Sequence, residues 1–369
     1  MENINFPLII NNFEICGSSH KVTPYGSGHI HDTFRVRNAD ASCPDYLLQR
    51  INDRAFKKVP ELMVNIDLVT SHLRKKLHSE DQIHFNRETL TLIPTINSSY
   101  YYHDAEGSFW RIFVFIPDTQ SFDLVESPQQ AYLGGKTFGN FQALLSDMDP
   151  QMLHETIPDF HNVERRLLTF YNTLMVDPVH RVQKVQPEID FIIERAETMT
   201  LINRLGREGK IPLRITHNDT KFNNILFDKN GNSLCVIDLD TVMPGYVAYD
   251  FGDSIRTTIN TAAEDEKDLE KIQIDLSLFE AYAKGFLEET KDFLNPVEID
   301  HLVFGAKLLS YLMGLRFLTD YLDGDKYYKI HFPEQNLQRA RAQYQLIRKM
   351  EDNYENMQNI IYSILNSLN

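Results

Sequence analysis

The 369-residue sequence predicts an α+β, bilobal fold: a small antiparallel-sheet lobe with one covering helix, then a larger, mainly helical lobe. Three observations predict it. Up to Ile116 the apolar residues fall in short runs biased to aromatic and aliphatic side chains, as in strands. Beyond Pro117 they recur at helical spacing, and within the first part only residues 59–77 do so. The division is therefore drawn as residues 1–116, expected to bind nucleotide, and 117–369, expected to carry catalysis and substrate.

In chain order, "YGSGHIHDTFRVRN" places two glycines before an alternating strand, and "DYLLQRIN" and "FWRIFVFIP" supply further strands of the same sheet. Between these last two, Leu62, Ile66, Val69, Leu73 and Leu77 in "VPELMVNIDLVTSHLRKKL" mark the covering helix. After "PDTQSFD" the stretches "TFGNFQALLSDM", "PEIDFIIERAETMTLINRL", "SLFEAYAKGFLEE" and "IDHLVFGAKLLSYLMGLRFLTDYL" read as helices. The terminal "EQNLQRARAQYQLIRKMEDNYENMQNIIYSIL" reads as one long charged helix. One stretch interrupts them: "NNILFDKNGNSLCVIDLD" reads as two short strands around the turn Asn230-Gly231.

Composition narrows the partners. The net charge is -15 with no block of Lys and Arg, which argues against nucleic acid and anionic membranes. An anionic ligand would have to be held locally by backbone N–H groups, a few basic side chains and a metal. Cys16, Cys43 and Cys235 are odd in number and far apart, so neither a disulfide framework nor a CxxC metal site is expected. With no signal-like N-terminus and no stretch approaching a membrane span, the expected location is cytoplasmic. "HETIP" has Pro158 where a zinc protease needs its second His, and His29 and His31 lack nearby partners with zinc-ligand spacing.

The chemistry concentrates in "RITHNDTKFNNILFDKNGNSLCVIDLD", residues 214–240. Phosphoryl transfer needs an acceptor hydroxyl aimed in line and phosphates neutralised by metal, more than covalent help. His217, Asp219 and Asn224 form H-x-D-x-x-x-x-N: Asp219 to orient the hydroxyl and take its proton, Asn224 to hold magnesium, and Lys221 either to meet the moving phosphoryl group or to remain a solvated charge. A hairpin brings its two ends together, so the strand returning from Asn230-Gly231 delivers Asp238 as the second metal ligand. Asp240 either orients a lysine or a metal or caps the turn leading to Pro244. The Asp-Phe-Gly triplet at 250–252 lies past Pro244-Gly245 with nothing to return it to Asn224, and Asp250 is not assigned to the metal.

These motifs resemble the signature of the aminoglycoside phosphotransferase and choline kinase superfamily, which has the protein-kinase-like bilobal fold. "PYGSGHIHDTF", "IPLRITHNDTKFNNIL", "VIDLDTVMPG", "DFGDSIR", "EDEKDL" and "RFLTDYLDGDKYY" more closely resemble the bacterial N-acetylhexosamine 1-kinases, through nearly the whole chain. The resemblance implies ATP and Mg2+ as cofactors and phosphorylation of the anomeric hydroxyl of N-acetylglucosamine or N-acetylgalactosamine. It implies Asp219 as catalytic base beside Lys221, Asn224 and Asp238 as magnesium ligands, and Asp250 as a structural brace of the catalytic loop. Gly26, Ser27 and Gly28 would lie over the ATP phosphates, and Phe115 and Ile116 would lead into the adenine-binding hinge. His29, Arg316 and Tyr327 would line the sugar pocket, although Arg316 and Asp320 also stand four apart on a helix, as an ordinary ion pair would.

Two features depart from the wider pattern. His29 and His31 follow the glycines, with relatives often carrying Asn at the latter position. Gln49 stands where many kinases place the phosphate-binding Lys, with Arg50 on the opposite face of the strand. Neutralising phosphate then falls to metal, backbone and Lys221, and a Lys-to-helix ion pair involving Asp67 is not expected. Another small acceptor, whether an aminoglycoside, choline or a different sugar, is the alternative, and a nucleotide-binding pseudokinase is the reading from another class.

Overall fold

A computed structural model describes residues 4–17, 20–26, 30–77 and 87–368. The chain forms two compact units, each assembled from several stretches: the first from Met1–Ser121, Asp147–Pro158 and Ile225–Met243, the second from Phe122–Ser146, Asp159–Asn224 and Pro244–Asn369.

The first unit is built on a five-stranded antiparallel sheet of β1 (His20–Pro24), β2 (Asp32–Asn38), β3 (Tyr46–Ile51), β4 (Tyr102–His103) and β5 (Phe109–Val114), ordered β1-β2-β3-β5-β4. Period-2 alternation sets its faces. Val36, Tyr46, Leu48, Trp110 and Ile112 bury one face under Ile9, Ile10 and Phe13, the first two from the short helix α1 (Phe6–Ile10). On the other face Gln49 pairs in register with Arg111. The predicted helix is α2 (Val59–Lys76), opening with Pro60 in its first turn and closing on Arg74, Lys75 and Lys76, where cations favour the helix dipole.

The buried Asn65 of α2 joins the three stretches of this unit. Its amide donates to the carbonyls of His154 and Val242 at 2.8 and 3.1 Å, and its Oδ1 accepts from the His154 N–H at 2.8 Å. The predicted hairpin is present as Ile225–Phe227 and Ser233–Val236, with Ile225 paired to Val236 and Gly231 at φ 82°, the left-handed turn position glycine suits.

The cysteine expectation is corrected here. Cys16 and Cys43 are joined in a disulfide, their Cα atoms 5.5 Å apart. The β1–β2–β3 meander closes a sequence separation of 27: Asn38 at the end of β2 donates to the Cys16 carbonyl at 2.7 Å and to the Pro44 carbonyl at 3.3 Å. Cys235 is free and buried.

The second unit is helical: α3 (Pro128–Leu145), α4 (Val163–Val176), α5 (Gln186–Met199), α6 (Leu201–Arg207), α7 (Val247–Thr258), α8 (Leu276–Thr290), α9 (Pro296–Asp300), α10 (Leu302–Asp323), α11 (Gln335–Asp352) and α12 (Tyr354–Leu368). The expected terminal helix is two, interrupted at Asn353. Helices α3 and α8 pack at close range because glycine faces backbone: a Cβ at Gly135 would run into the Tyr282 carbonyl, and one at Gly285 into that of Tyr132. Contrary to the reading that no stretch approaches a membrane span, α10 is long and apolar enough to cross one by length and composition. Its most apolar window is 78% buried inside the protein, because α10 packs against α4, α5, α7 and α11 as the central core helix.

Candidate active site

The catalytic loop leaves the short strand Arg214–Thr216 and ends in the turn Phe222–Asn224. Asn218 sits at φ 64°, a left-handed conformation that Asn tolerates better than most residues. Both of its backbone groups are held. Its N–H donates to Asp250 Oδ1 at 2.7 Å, and its carbonyl accepts from His161 Nε2 at 2.9 Å. The other Asp250 oxygen accepts from the His217 N–H at 2.8 Å and from the Gln142 amide. Asp250 stands in the first turn of α7 with both carboxylate oxygens on the loop backbone and Gln142, the bracing contacts expected of it. The helix itself was missed from sequence, because "YDFGDSIR" after Pro244-Gly245 carries a local glycine and too short an apolar period.

This bracing aims Asp219. Lys221 Nζ lies 3.0 Å from Asp219 Oδ1, and Asn224 Nδ2 donates to the Asp219 carbonyl at 2.8 Å and to its Oδ2 at 3.2 Å. Burial pushes the Asp219 carboxyl up, but Lys221 more than reverses this and holds it below the usual carboxylate range. Asp219 in turn raises Lys221 above the ordinary lysine value. With Nδ2 of Asn224 turned to Asp219, its amide oxygen points away from that partner.

A second cluster of the same unit surrounds a cavity of about 190 Å³ lined by Arg166, Thr319, Arg316, Asp320, Tyr327 and Tyr328. The Arg316–Asp320 ion pair does not form. Asp320 instead accepts from the backbone N–H groups of Lys326, Tyr327 and Tyr328 at 3.0, 2.8 and 2.9 Å and from Asn336 Nδ2 at 2.9 Å. Arg316 lies 5.5–5.8 Å from the ring centroids of Phe160, Tyr327 and Tyr328. Arg166 donates to the Phe160 carbonyl at 3.1 Å. Burial, and then the neighbouring Arg316, lower the Arg166 pKa. Among the described residues neither guanidinium has a carboxylate within ion-pair distance. Arg166 was missed because a charge in a charged amphipathic helix gives no sequence signal.

In the first unit, Ser27, Gly28 and His29 lie outside the described residues. Gly26 has φ 79° and follows Tyr25, whose ring meets Phe115 edge-on at 5.3 Å. Phe115 and Ile116 stand just beyond β5, and the Phe115 ring also carries the Arg35 guanidinium at 4.1 Å. The hairpin is entered from Asn224 and left toward Asp238, which has φ 61° and precedes the turn Leu239–Thr241.

The slot at Gln49 is explained by Arg111, which no motif flagged, although a lone arginine inside an apolar strand was a legible signal. Its Nη1 and Nη2 donate to the two oxygens of Asp240 at 2.6 and 2.7 Å, and its Nε donates to Gln49 Oε1 at 2.9 Å. His31 Nε2 stands 3.4 Å from Asp240 Oδ2, while its Nδ1 accepts from the Asn52 N–H at 3.0 Å. Burial pushes the Asp240 carboxyl up, and Arg111 and His31 hold it far below the usual range. Asp240 therefore holds neither a lysine nor a metal but the Arg111 guanidinium, a partner the sequence did not suggest.

The sequence matches the phosphotransferase enzyme family over residues 21–285, and the chain belongs to that family. Its fold is similar to an aminoglycoside phosphotransferase from Alicyclobacillus acidocaldarius subsp. acidocaldarius DSM 446 (TM-score 0.61, 10% identity, covering 100% of this chain and 97% of that one). It is also similar to a choline kinase from Cryptosporidium parvum Iowa II (TM-score 0.58, 16% identity, 95% and 94% covered). An amicoumacin kinase solved with AMP-PNP and Ca2+ matches at TM-score 0.58 and 10% identity, with 90% and 88% covered. At these identities the likeness is one of fold, the protein-kinase-like fold of the aminoglycoside phosphotransferases.

Replacing Arg111 by Met strands a buried carboxylate, at a cost of about 3–5 kcal/mol in urea unfolding, and Arg111→Met/Asp240→Leu recovers most of that loss. His161 supplies a pH signature. Burial lowers its pKa to about 4 from 6.5, so the unfolded chain binds the extra proton between those values. Its contribution is present above pH ~6.5 and lost as pH falls toward ~4, about 3 kcal/mol in all. Asp250, pushed up to about 6 by burial, acts in the opposite sense over much of that window. The stability difference between wild type and His161→Gln isolates the histidine, and a pH-independent difference would refute this assignment.

Proposed function

We propose that this protein is an ATP- and Mg2+-dependent kinase of a small uncharged hydroxyl compound, an N-acetylhexosamine phosphorylated at its anomeric hydroxyl. The observation that carries the acceptor class is the pair of guanidiniums without carboxylate partners, Arg166 and Arg316, in the cavity. Their N–H groups suit the carbonyl of an acetamido group and sugar oxygens, and the carboxylates of Asp320 and Asp323 line the same cavity, so that it balances charge as a site for an uncharged compound would. Tyr327, a residue 73% exposed beside Arg316, offers a flat face on which a sugar ring stacks. The long sequence resemblance favours N-acetylhexosamines within that class.

In the reaction the acceptor hydroxyl gives its proton to Asp219 as its oxygen bonds to the γ-phosphorus of ATP, and the bond from that phosphorus to the ADP oxygen breaks. Lys221 lies within reach to follow the transferring group. Asn224 and Asp238 would hold Mg2+, an amide oxygen and a carboxylate being the hard donors it takes, and the ion would neutralise phosphate charge. Gly26, Ser27 and Gly28 would cover the phosphates, and Phe115 and Ile116 would border the adenine.

Asp219→Asn is expected to keep its fold and Mg·ATP-dependent thermal stabilisation while losing roughly 10²- to 10⁴-fold in kcat. Phosphorus NMR with Mg·ATP and a panel of hexoses, N-acetylhexosamines, choline and aminoglycosides tests the acceptor. A sugar 1-phosphate signal that the variant lacks supports the reading, and a product only from choline or an aminoglycoside overturns it. ATP binding with no product from any acceptor would mark a pseudokinase.

A further inference from the structure

The cavity of the second unit is lined by α4 and α10, and each helix gives it groups in a similar order. From α4 come Arg166, Thr169 and Thr173, and from α10 come Arg316, Thr319 and Asp323. Steps of three and then four residues keep each set on one helix face. The two helices run the same way along the cavity. Arg166 near the start of α4 donates to the Phe160 carbonyl at 3.1 Å, and Arg316 lies 5.6 Å from the centroid of the Phe160 ring. Beyond the C-terminal end of α4, Arg181 donates to the carbonyl of Tyr321, in the last turn of α10, at 2.7 Å and to Asp325 at 2.6 Å. Both guanidiniums therefore stand at one end, and Thr173 and Asp323 follow roughly 10 Å further along their helices.

The two ends differ in what they offer a ligand. Thr169 Oγ1 donates to the Arg165 carbonyl at 3.1 Å, Thr173 Oγ1 to the Thr169 carbonyl at 3.0 Å, and Thr319 Oγ1 to the Leu315 carbonyl at 2.6 Å. A carbonyl oxygen only accepts, so each hydroxyl spends its one hydrogen on its own helix and keeps lone pairs for a partner. Asp323, whose Oδ1 accepts from Lys326 at 2.9 Å, also only accepts. The guanidiniums at the other end only donate. One threonine bonded back to its helix is ordinary, but three lining a single cavity beyond two arginines sort its hydrogen-bonding capacity by end.

We propose that Thr169, Thr173 and Thr319 are specificity-determining residues that accept hydrogen bonds from hydroxyl groups of the phosphoryl acceptor. The inference rests on the kinase reading above and deepens it by fixing which way the acceptor's groups face: carbonyl and ether oxygens toward the guanidiniums, O–H donors toward the threonines. The ligand this wall takes carries at least one free hydroxyl besides the one that reacts, as an acetamido sugar does. An acceptor with a single alcohol spends it on the reaction and leaves the threonine oxygens bare, and an analogue whose hydroxyl is replaced by a group without hydrogen to give does the same.

The test is steady-state kinetics of the full chain with Mg·ATP and N-acetylglucosamine, N-acetylgalactosamine and their 3-, 4- and 6-deoxy and deoxyfluoro analogues. Fluorine fills the place of a hydroxyl oxygen but cannot donate. At one position at least, the deoxy and deoxyfluoro analogues are expected to raise the sugar KM alike, by about three- to tenfold, the worth of one neutral hydrogen bond. Deoxyfluoro analogues that match their parents at every position overturn the inference. Of Thr169→Val, Thr173→Val and Thr319→Val, at least one should raise the sugar KM by about the same factor with the KM for ATP within about twofold, and serine at that position should restore it. On that valine variant the sensitive analogues should lose little more, the coupling expected of a direct contact. Valine variants that all keep the wild-type sugar KM overturn the inference. Should they fail to fold by circular dichroism, calorimetric binding of the fluorinated series to wild type decides, with affinities all within about twofold of the parent sugars again overturning it. Wild-type protein that turns over neither parent sugar overturns the acceptor reading and this inference with it, whereas turnover of the parents with deoxyfluoro analogues equal to them overturns this inference alone.

Discussion

The buried carboxylate of Asp250 is the constraint on which the second unit's chemistry depends. It receives two consecutive backbone N–H groups of the catalytic loop and the Gln142 amide, tying α3, α7 and the loop together. Loop backbone deep in a protein would otherwise leave its polar groups unpaired. With its N–H held by Asp250 and its carbonyl by His161, Asn218 keeps a left-handed conformation that free chain would populate little. The residue that follows, Asp219, is held in turn by Lys221 on one carboxylate oxygen and by Asn224 on the other and on its carbonyl.

The protein handles buried arginines in two ways, and the contrast carries meaning. Arg111 closes a complete fork on Asp240, backed by Gln49, and so fastens the turn that follows Asp238 to the sheet. Where a phosphate-binding lysine is common in related folds, this chain instead spends the position on a neutral amide that steadies a neighbouring guanidinium. Arg256 closes only half a fork on Asp253 and leaves an oxygen unsatisfied next to the catalytic loop. A satisfied pair stabilises a shape, whereas a buried oxygen left without a partner costs stability.

Legibility differed with the range of the interaction. Helix α2, the Asn230-Gly231 hairpin and the H-x-D-x-x-x-x-N loop were readable because each is written in residues close together, through period, turn chemistry or spacing. Helix α7 was not, since its glycine-bearing stretch follows the Pro244-Gly245 turn, and nearly all of its residues, polar ones included, are buried. The Cys16–Cys43 bond was likewise invisible, because it depends on how a meander folds back and not on cysteine count. The separation of Asp320 from Arg316 shows the same limit: helical spacing placed them within reach, but the backbone of residues 326–328 claimed the carboxylate first.

By itself, then, the sequence determined the class of fold and the order of its chemical groups, Asp219, Lys221, Asn224 and Asp238, because local period and spacing are properties of the chain. Tertiary structure decided which charges are neutralised: Arg111 by Asp240, Asp320 by three backbone N–H groups, and Arg166 and Arg316 by no carboxylate among the described residues. Those pairings join positions up to 129 residues apart, as Arg111 and Asp240 are. Whether a buried charge is paired or left to meet a ligand depends on which side chains packing brings to it, and no local pattern encodes that.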